Sequence, residues 1–537
     1  MNNIKSLNKN DIAIIGMSGR FPGSDNIEEF WEHLKSGKGS IKEISKDRWD
    51  FESIYKSGQD ISAGKSYSKW GGLLENIDKF DAKFFNIFPN EAEKIDPQQR
   101  IALEESWKTF EDAGYAADQL SGRNIGVFVA ARTGDYHDHA LGNYEDIDVN
   151  TIIGNDTSIL SGRISYFLDL SGPSFSINSG CSSAGSAIHL ACQSLLKNES
   201  EMALTGGLNI MSTPQRFLFH SQTGLMSNDG KSRVFDDSAN GFVLGEAAGF
   251  LLLKKLKSAI KDNDNIYGVI KSTGIRQGGN AKGLTIPNCE ALSDLIKTVN
   301  GSLKINPGSI NYYEAHCTGT RKGDAAELNS IIEAFKLETD QHNYCALGSV
   351  KSNIGYTLTA SVIPGIMKIL LAMKYRTIPP TINVKKKNSL VDFDHSPFYL
   401  PEKSKKWATK KDLPRRAALS SLSYSGTNFY MVLEEAPHIA QQSSKRNRDQ
   451  YYLIPYSAKT EDALLRELSL TLRWLKLNKK SIEIGDYAYT LSIGRVHFDF
   501  RAVFVVKSFE DLMDKLTLFL NNTSKSKKNK ETVAVSA

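Results

Sequence analysis

Cysteine is scarce in this chain. There are five in 537 residues: Cys181, Cys192, Cys289, Cys317 and Cys345. They are scattered, with neither the density of a disulfide framework nor the close pairing of a metal site, so a reducing, cytoplasmic setting is expected and no bound metal. Long apolar runs are missing as well. None approaches the roughly 18–20 residues of a membrane span, and residues 364–374 are short, carry lysines and read as a buried helix. The first ten residues are polar and lack the apolar core of a secretory signal. An excess of one charge is also absent: 66 basic against 61 acidic residues leave a net +5, too balanced for a nucleic-acid binder. No short internal repeat is visible. The rest is ordinary for a globular protein, with 40% hydrophobic and 24% charged residues over a length sufficient for several domains.

Strand and helix patterns alternate along most of the chain. Residues 11–16 form a β-branched strand, followed by a Gly/Pro turn at Arg20–Gly23. Ile27, Phe30, Trp31 and Leu34 have helical spacing, with an N-cap expected at Ser24 or Asp25. Residues 45–75 read as an irregular excursion, and a long helix runs through Trp107. Further strands are expected at 126–130, 174–177 and 201–207, and a second series at 268–273, 310–315, 344–350, 416–421 and 429–434. Two β/α series of similar size predict a duplicated α/β architecture, with halves at about 11–265 and 266–437 after a lead-in at 1–10. Residues 438–449 read as a linker, 450–520 as a small separate α/β unit, and 521–537 as a basic flexible tail.

Four stretches have the composition of a single site. Cys181 lies between the strand Ser174–Ile177 and a helical run from Ser186 to Leu196, on a strand-to-helix elbow. Unpaired N–H groups and the macrodipole at such an elbow are expected to lower the thiol pKa and make a nucleophile. His316 follows a strand in a Gly/Thr-rich loop, with Asp324 or Glu327 available to orient it. Lys351, Asn353 and Tyr356 surround a strand-to-Gly turn, and Ser423–Asn428 is a tight turn whose N–H groups suit an oxyanion hole.

Together with Phe235-Asp236, Gly241, Gly245-Glu246, Gly283–Asn288 and Val432–Pro437, these motifs resemble the ketosynthase domain of a modular polyketide synthase, a thiolase-like condensing enzyme. The resemblance covers residues 11 to about 520, with 450–520 similar to the small α/β subdomain that flanks such ketosynthases. It implies a thiolase-like duplicated α/β/α/β/α fold and a homodimer with the strand before Cys181 near the two-fold axis. It further implies acyl carrier protein and neighbouring synthase domains as partners. No cofactor is bound permanently; substrates arrive on phosphopantetheine. Cys181 matches the nucleophile, His316 the first catalytic histidine and Lys351 the active-site lysine. The N–H groups of Cys181 and Tyr424 match the oxyanion hole, and Thr318, Thr320, Asn353 and Ser425 match pantetheine- or substrate-binding positions. No acyltransferase pattern follows, which fits a synthase served by free-standing acyltransferases, or an excised segment.

The departures from the family pattern carry the functional expectation. Tyr356 stands where the second catalytic histidine is usual. Cys317 replaces a glycine beside His316, Thr357–Ala360 replaces Leu-Glu-Ala-Ala, Ser425 replaces a glycine and Asn240 an aspartate, and Gly185-Ser186 replaces two bulkier apolar residues. A phenol donates one hydrogen bond but is neither a base nor a cation near neutral pH. Acyl transfer to Cys181 is therefore expected to survive and decarboxylative condensation to be lost or severely reduced. The rival readings are an elongating enzyme that relies on His316 and Lys351, and an inert scaffold that docks carrier proteins.

Overall fold

A computed structural model of the chain describes residues 8–58, 62–140, 145, 147–280, 283, 288–336, 341–409, 413–438 and 450–529. Residues 284–287 of the Gly283–Asn288 motif, linker positions 439–449 and tail positions 530–537 lie outside the described residues.

The β-branched and small apolar runs pair into one large sheet. Five strands come from the first series: β1 (Ile12–Arg20), β2 (Ile125–Ala130), β3 (Ser174–Ile177), β4 (Met202–Asn209) and β5 (Ala247–Lys255). Five come from the second: β6 (Gly268–Gln277), β7 (Tyr312–Glu314), β8 (Cys345–Gly348), β9 (Arg416–Leu422) and β10 (Thr427–Glu435). The first five lie in the order β3-β2-β4-β5-β1 and the second in β8-β7-β9-β10-β6, with the two-residue strand Phe398–Tyr399 on the β8 edge. Read from the outer edge inward, both halves follow the same chain-order permutation, third, second, fourth, fifth, first. The pairing senses also agree: β2 is parallel to β3 and β4, as β7 is to β8 and β9, and the remaining pairs in each half are antiparallel. The halves join where β1 and β6 pair antiparallel, Ile12 opposite Ile270 and Ile14 opposite Gly268. This is the duplicated, thiolase-like architecture expected from the two series.

The helices follow the apolar spacing. α1 (Ile27–Ser36) is capped by Asn26, whose side chain accepts the Glu29 N–H at 2.9 Å. Neither Ser24 nor Asp25 is the cap; Asn26 is the residue with extended backbone at the helix boundary. α2 (Pro97–Asp112) starts with Pro at its first position after the Asp96 cap. α3 (Ser183–Leu196) and α6 (Val362–Lys374) share one core, with Ala184, Ala187, Ile188 and Ala191 of the first and Ile363, Ile366, Met367 and Leu370 of the second buried together. Buried aliphatic side chains of this kind contribute about 1.5–3 kcal/mol each, and α3 and α6 carry the segments around Cys181 and Tyr356. α4 (Cys289–Leu303) and α5 (Arg321–Lys336) pack in the core of the second half. Lys368 of α6 is buried and bridges Glu314 at 3.0 Å; Glu314 also accepts from Tyr312 Oη at 2.7 Å and Val350 N at 2.5 Å. Such a buried pair stands because its remaining lone pairs are satisfied, and it fixes the chain just before Lys351.

Two compact units are distinguished, residues 1–113 with 122–437, and residues 114–121 with 438–537. The second holds a two-stranded antiparallel sheet, β11 (Tyr452–Ala458) with β12 (Phe500–Val506), and helices α7 (Glu461–Asn478), α8 (Ile484–Ile493) and α9 (Phe509–Asn529). α9 runs to Asn529, beyond the Leu520 at which its apolar pattern ends. Residues 521–529 are therefore helical rather than a flexible tail. Lysine and asparagine are compatible with helix and interrupt the apolar stripe without breaking helical hydrogen bonding.

Among the described residues, no helix is long and apolar enough to cross a membrane, and no cluster of three or more His, Cys, Asp or Glu side chains could hold a metal ion.

Candidate active site

Strand ends deliver the site. The third strand of the first half, β3, leads to Cys181; the third strand of the second half, β8, leads to Lys351 and Tyr356. The second strand of that half, β7, leads to His316, and the β9–β10 turn carries Tyr424.

Cys181 lies in a single 3-10 turn, Gly180–Ser182, immediately before α3. Gly180 has φ +69°, a left-handed conformation that glycine adopts without strain. The Cys181 carbonyl accepts from Ser361 Oγ at 2.9 Å and Ser421 Oγ at 3.3 Å, and Ser182 Oγ donates to the Thr427 carbonyl at 2.9 Å. The elbow is thus held by the Ser361 and Ser421 hydroxyls and by its own Ser182 hydroxyl on the Thr427 carbonyl. The thiol is buried, and burial pushes its pKa up, against the hydrogen bonds from the Tyr356 hydroxyl and the Tyr424 backbone and the nearby charge of Lys351. The expected depression of the pKa at a helix start is therefore not found; removal of the sulfur from water outweighs the N–H groups.

Tyr356 is buried, with its backbone tied to Val243 O at 2.7 Å and to the Gly245 N–H at 2.9 Å. Its hydroxyl donates to the Cys181 sulfur, and burial together with the adjacent sulfur holds the phenol pKa well above its ordinary value. Its ring meets His316 edge-on, centroids 5.4 Å apart at 89°, and Phe242 at 5.5 Å and 77°. Lys351 Nζ is 5.8 Å from the ring centroid.

His316 carries a buried Nδ1 with no hydrogen-bond partner among the described residues. Burial, then the charge of Lys351, holds its pKa well below the ordinary value, so the imidazole is neutral. Burial lowers the Lys351 pKa too, opposed by Glu314 and Glu327.

Asp324 and Glu327 act on the loop rather than on the ring, which corrects their expected role. Glu327 accepts the backbone N–H groups of His316 and Cys317, each at 2.8 Å, and Ser420 Oγ at 2.8 Å. Asp324 accepts the N–H groups of Thr318 at 3.0 Å, Gly319 at 3.2 Å and Phe235 at 3.1 Å. Carboxylates in the first turns of a helix face just such orphaned donors. Cys317 is buried with its thiol 3.3 Å from Glu327 Oε2, and burial and the two carboxylates push its pKa well up. Burial and this contact oppose a thiolate there.

Thr318 and Thr320 lie half-buried on the same loop. Asn353 departs from its expected place in a substrate-binding set. It is buried, and its amide donates to the Lys38 carbonyl at 3.0 Å, so it secures the chain around residue 38. Ser425 is exposed, and its hydroxyl donates to the Ser179 carbonyl at 3.0 Å.

Phe242 and His220 were not foreseen from sequence. His220 packs against Phe242 at 5.4 Å, and burial, then Arg216, lowers its pKa to about 4. Phe242 in turn packs on Tyr356, so the three rings form one stack of edge-on contacts. An aromatic after a glycine, in Gly241-Phe242-Val243, carries no local signal that it packs against Tyr356.

Comparison with known proteins agrees with this geometry. Residues 9–259 match the family described as beta-ketoacyl synthase, N-terminal domain, and residues 267–385 its C-terminal domain. Residues 452–516 match the CurL-like polyketide synthase C-terminal family. The chain is 40% identical to polyketide synthase PksL of Bacillus subtilis over 95% of its own length, of which it spans 11% of PksL. Among solved structures, the ketosynthase from module 6 of the bacillaene synthase of Bacillus subtilis is similar at TM-score 0.87 and 39% identity, covering 95% of this chain and 85% of that one. The oxazolomycin ketosynthase domain OzmH KS7 of Streptomyces albus is similar at TM-score 0.89 and 33% identity, covering 95% and 89%. The chain therefore belongs to the beta-ketoacyl synthase family, as a ketosynthase domain of the modular polyketide synthase kind.

Proposed function

We propose that this ketosynthase is a transacylase that does not extend its substrate. Cys181 takes an acyl chain from the phosphopantetheine thiol of an acyl carrier protein and passes it to a second carrier unchanged. The observation that carries the reading is the Tyr356 hydroxyl on the Cys181 sulfur, at the position where the family has its second histidine.

Acylation needs a nucleophilic sulfur and donors for the carbonyl oxygen. The sulfur attacks the thioester carbon, the C–S bond to pantetheine breaks, and the thiol proton of Cys181 ends on the pantetheine sulfur. The Tyr356 hydrogen bond favours the thiolate against the burial that opposes it. Decarboxylation makes a different demand. Negative charge grows on the malonyl thioester oxygen, and the loss of one positioned donor there costs about 10²–10³ in rate. The Tyr356 proton is committed to the sulfur, and its ring stands against His316, where the malonyl group would have to sit. One imidazole is left for the task.

The proposed partners are acyl carrier protein domains, neighbouring synthase domains fed by free-standing acyltransferases, and a second copy of the chain. β3 lies at an edge of the sheet with Phe175 55% exposed. An edge strand bearing an exposed aromatic calls for cover, and antiparallel pairing with its counterpart would supply it near the two-fold axis. A cytoplasmic location is proposed with these partners.

Intact-mass spectrometry tests the reading. The protein is mixed with a carrier protein bearing a simple acyl thioester and chased with malonyl carrier protein. A stable adduct on Cys181 with no extended product is expected. A β-keto product at ordinary turnover would mean that His316 and Lys351 suffice for condensation; no adduct with any donor would mean a docking scaffold.

A further inference from the structure

One amide donor assigned to the oxyanion hole, the Cys181 N–H, is already occupied. It donates to Ser423 Oγ at 3.1 Å. Ser423 Oγ also accepts the Ser425 N–H at 3.2 Å. A hydroxyl has two acceptor positions and one proton, so both acceptor positions are filled. The proton goes to Ser425 Oγ, 2.9 Å away. Ser425 has spent its own on the Ser179 carbonyl at 3.0 Å, which leaves Ser423 as the donor within that pair.

Ser423 is fully buried, with every hydrogen-bonding capacity of its hydroxyl met. Gly180 makes the room, since a β-carbon there would overlap Ser423 Oγ. The oxygen of Ser423 therefore accepts the same N–H that a thioester carbonyl would need. We propose that Ser423 is a positioning residue that closes the oxyanion hole in the resting enzyme, a latch held by Ser425 and Ser179 that an incoming thioester carbonyl must displace from the Cys181 N–H. This rests on the acyl-transfer reading of Cys181 and adds to it a built-in restraint: an acyl chain enters only where its own binding turns the hydroxyl away.

The test uses the full chain with Ser423→Gly and Ser423→Ala. Two rates are measured by intact mass: acylation of Cys181 by butyryl carrier protein, which needs the oxyanion donors, and alkylation by iodoacetamide, which needs only the thiol. Freeing a preorganised donor is worth up to about 10²–10³ in rate. Acylation is expected to rise at least tenfold in both variants while alkylation stays within twofold of the parent. Acylation unchanged or slower in a folded variant would overturn the latch, as would a parallel rise in both rates, which would trace to thiol exposure. Should the Ser423 variants fail to fold, Ser425→Ala removes the acceptor that holds the hydroxyl and is judged by the same pair of rates. A parent and variants that all alkylate but never acylate would instead refute the acyl-transfer reading.

Discussion

The ring of Tyr356 stands perpendicular to that of His316, centroids 5.4 Å apart, and from there its hydroxyl reaches the sulfur of Cys181. A phenol extends further than an imidazole, so a tyrosine at this position brings its hydroxyl to Cys181 while its ring stays against His316. Replacing it separates two activities. Tyr356→His is expected to raise CO2 release from malonyl carrier protein by about 10²–10³ over the parent. Headspace CO2 or labelled malonyl loss measures it. No gain would place further lesions at Cys317, Ser425 or residues 357–360.

Tyr356→Phe keeps the ring and removes the proton donor. The hydroxyl now lowers the Cys181 pKa. Without it the thiol titrates higher, and iodoacetamide alkylation near neutral pH slows by several fold, recovering as pH rises. An unchanged pH profile of alkylation would show that the hydrogen bond has no bearing on the thiolate.

Glu327 holds two adjacent backbone N–H groups and a serine hydroxyl. Glu327→Gln turns an amide NH2 toward donors, and each donor left unsatisfied costs about 1–3 kcal/mol. The thermal midpoint should fall. The CO2 release gained by Tyr356→His should fall further still in the double variant, because the His316 backbone moves. Full retention of that gain would mean that His316 is placed by packing alone.

Gly185 and Phe429 share one volume: a β-carbon on Gly185 would fall within the Phe429 ring. The small residue in the nucleophile helix is thus compensated from β10. Gly185→Ala is expected to cost about 1–3 kcal/mol by overpacking, and Phe429→Leu in the same chain to recover part of it. A double-mutant cycle with coupling below about 0.5 kcal/mol would deny the compensation.

Asp324 gives a pH dependence. Burial raises its pKa to about 7, against the pull of its backbone hydrogen bonds, from an ordinary 3.8. Between these values the unfolded chain has released the proton and the folded chain keeps it, so unfolding gains as pH rises. The stabilising contribution is complete below about pH 4 and gone above about pH 7. Glu246, raised by burial to about 7, adds in the same direction. The stability gap between the parent and Asp324→Asn, read from urea midpoints, should be wider at pH 5 than at pH 7.5. Equal gaps would mean that Asp324 does not titrate in this window.

The pattern of residues was enough for the strands and for the stretches that make the site. β3 appears as Ser174–Ile177 in both readings, because a short alternating run bounded by Gly-Pro and Asn-Ser-Gly has local causes. His316 on a loop and Tyr424 on a tight turn were legible for the same reason. The α1 cap was misplaced by one or two residues, since Ser24, Asp25 and Asn26 are all good caps and only backbone geometry selects among them.

Other features depend on residues far apart in sequence. The raised thiol pKa of Cys181 reflects its burial in the folded chain, and nothing at positions 178–185 encodes it. Ser423 reaches the Cys181 N–H across 242 positions, a partnership that no local pattern announces. The chain by itself determined which elements form and which chemistry is on hand, because hydrophobic period and turn residues act over a few positions. The tertiary structure alone decided which donor meets which acceptor, because hydrogen bonds and desolvation respond to distances of a few ångströms that only the joining of the two halves of the sheet establishes.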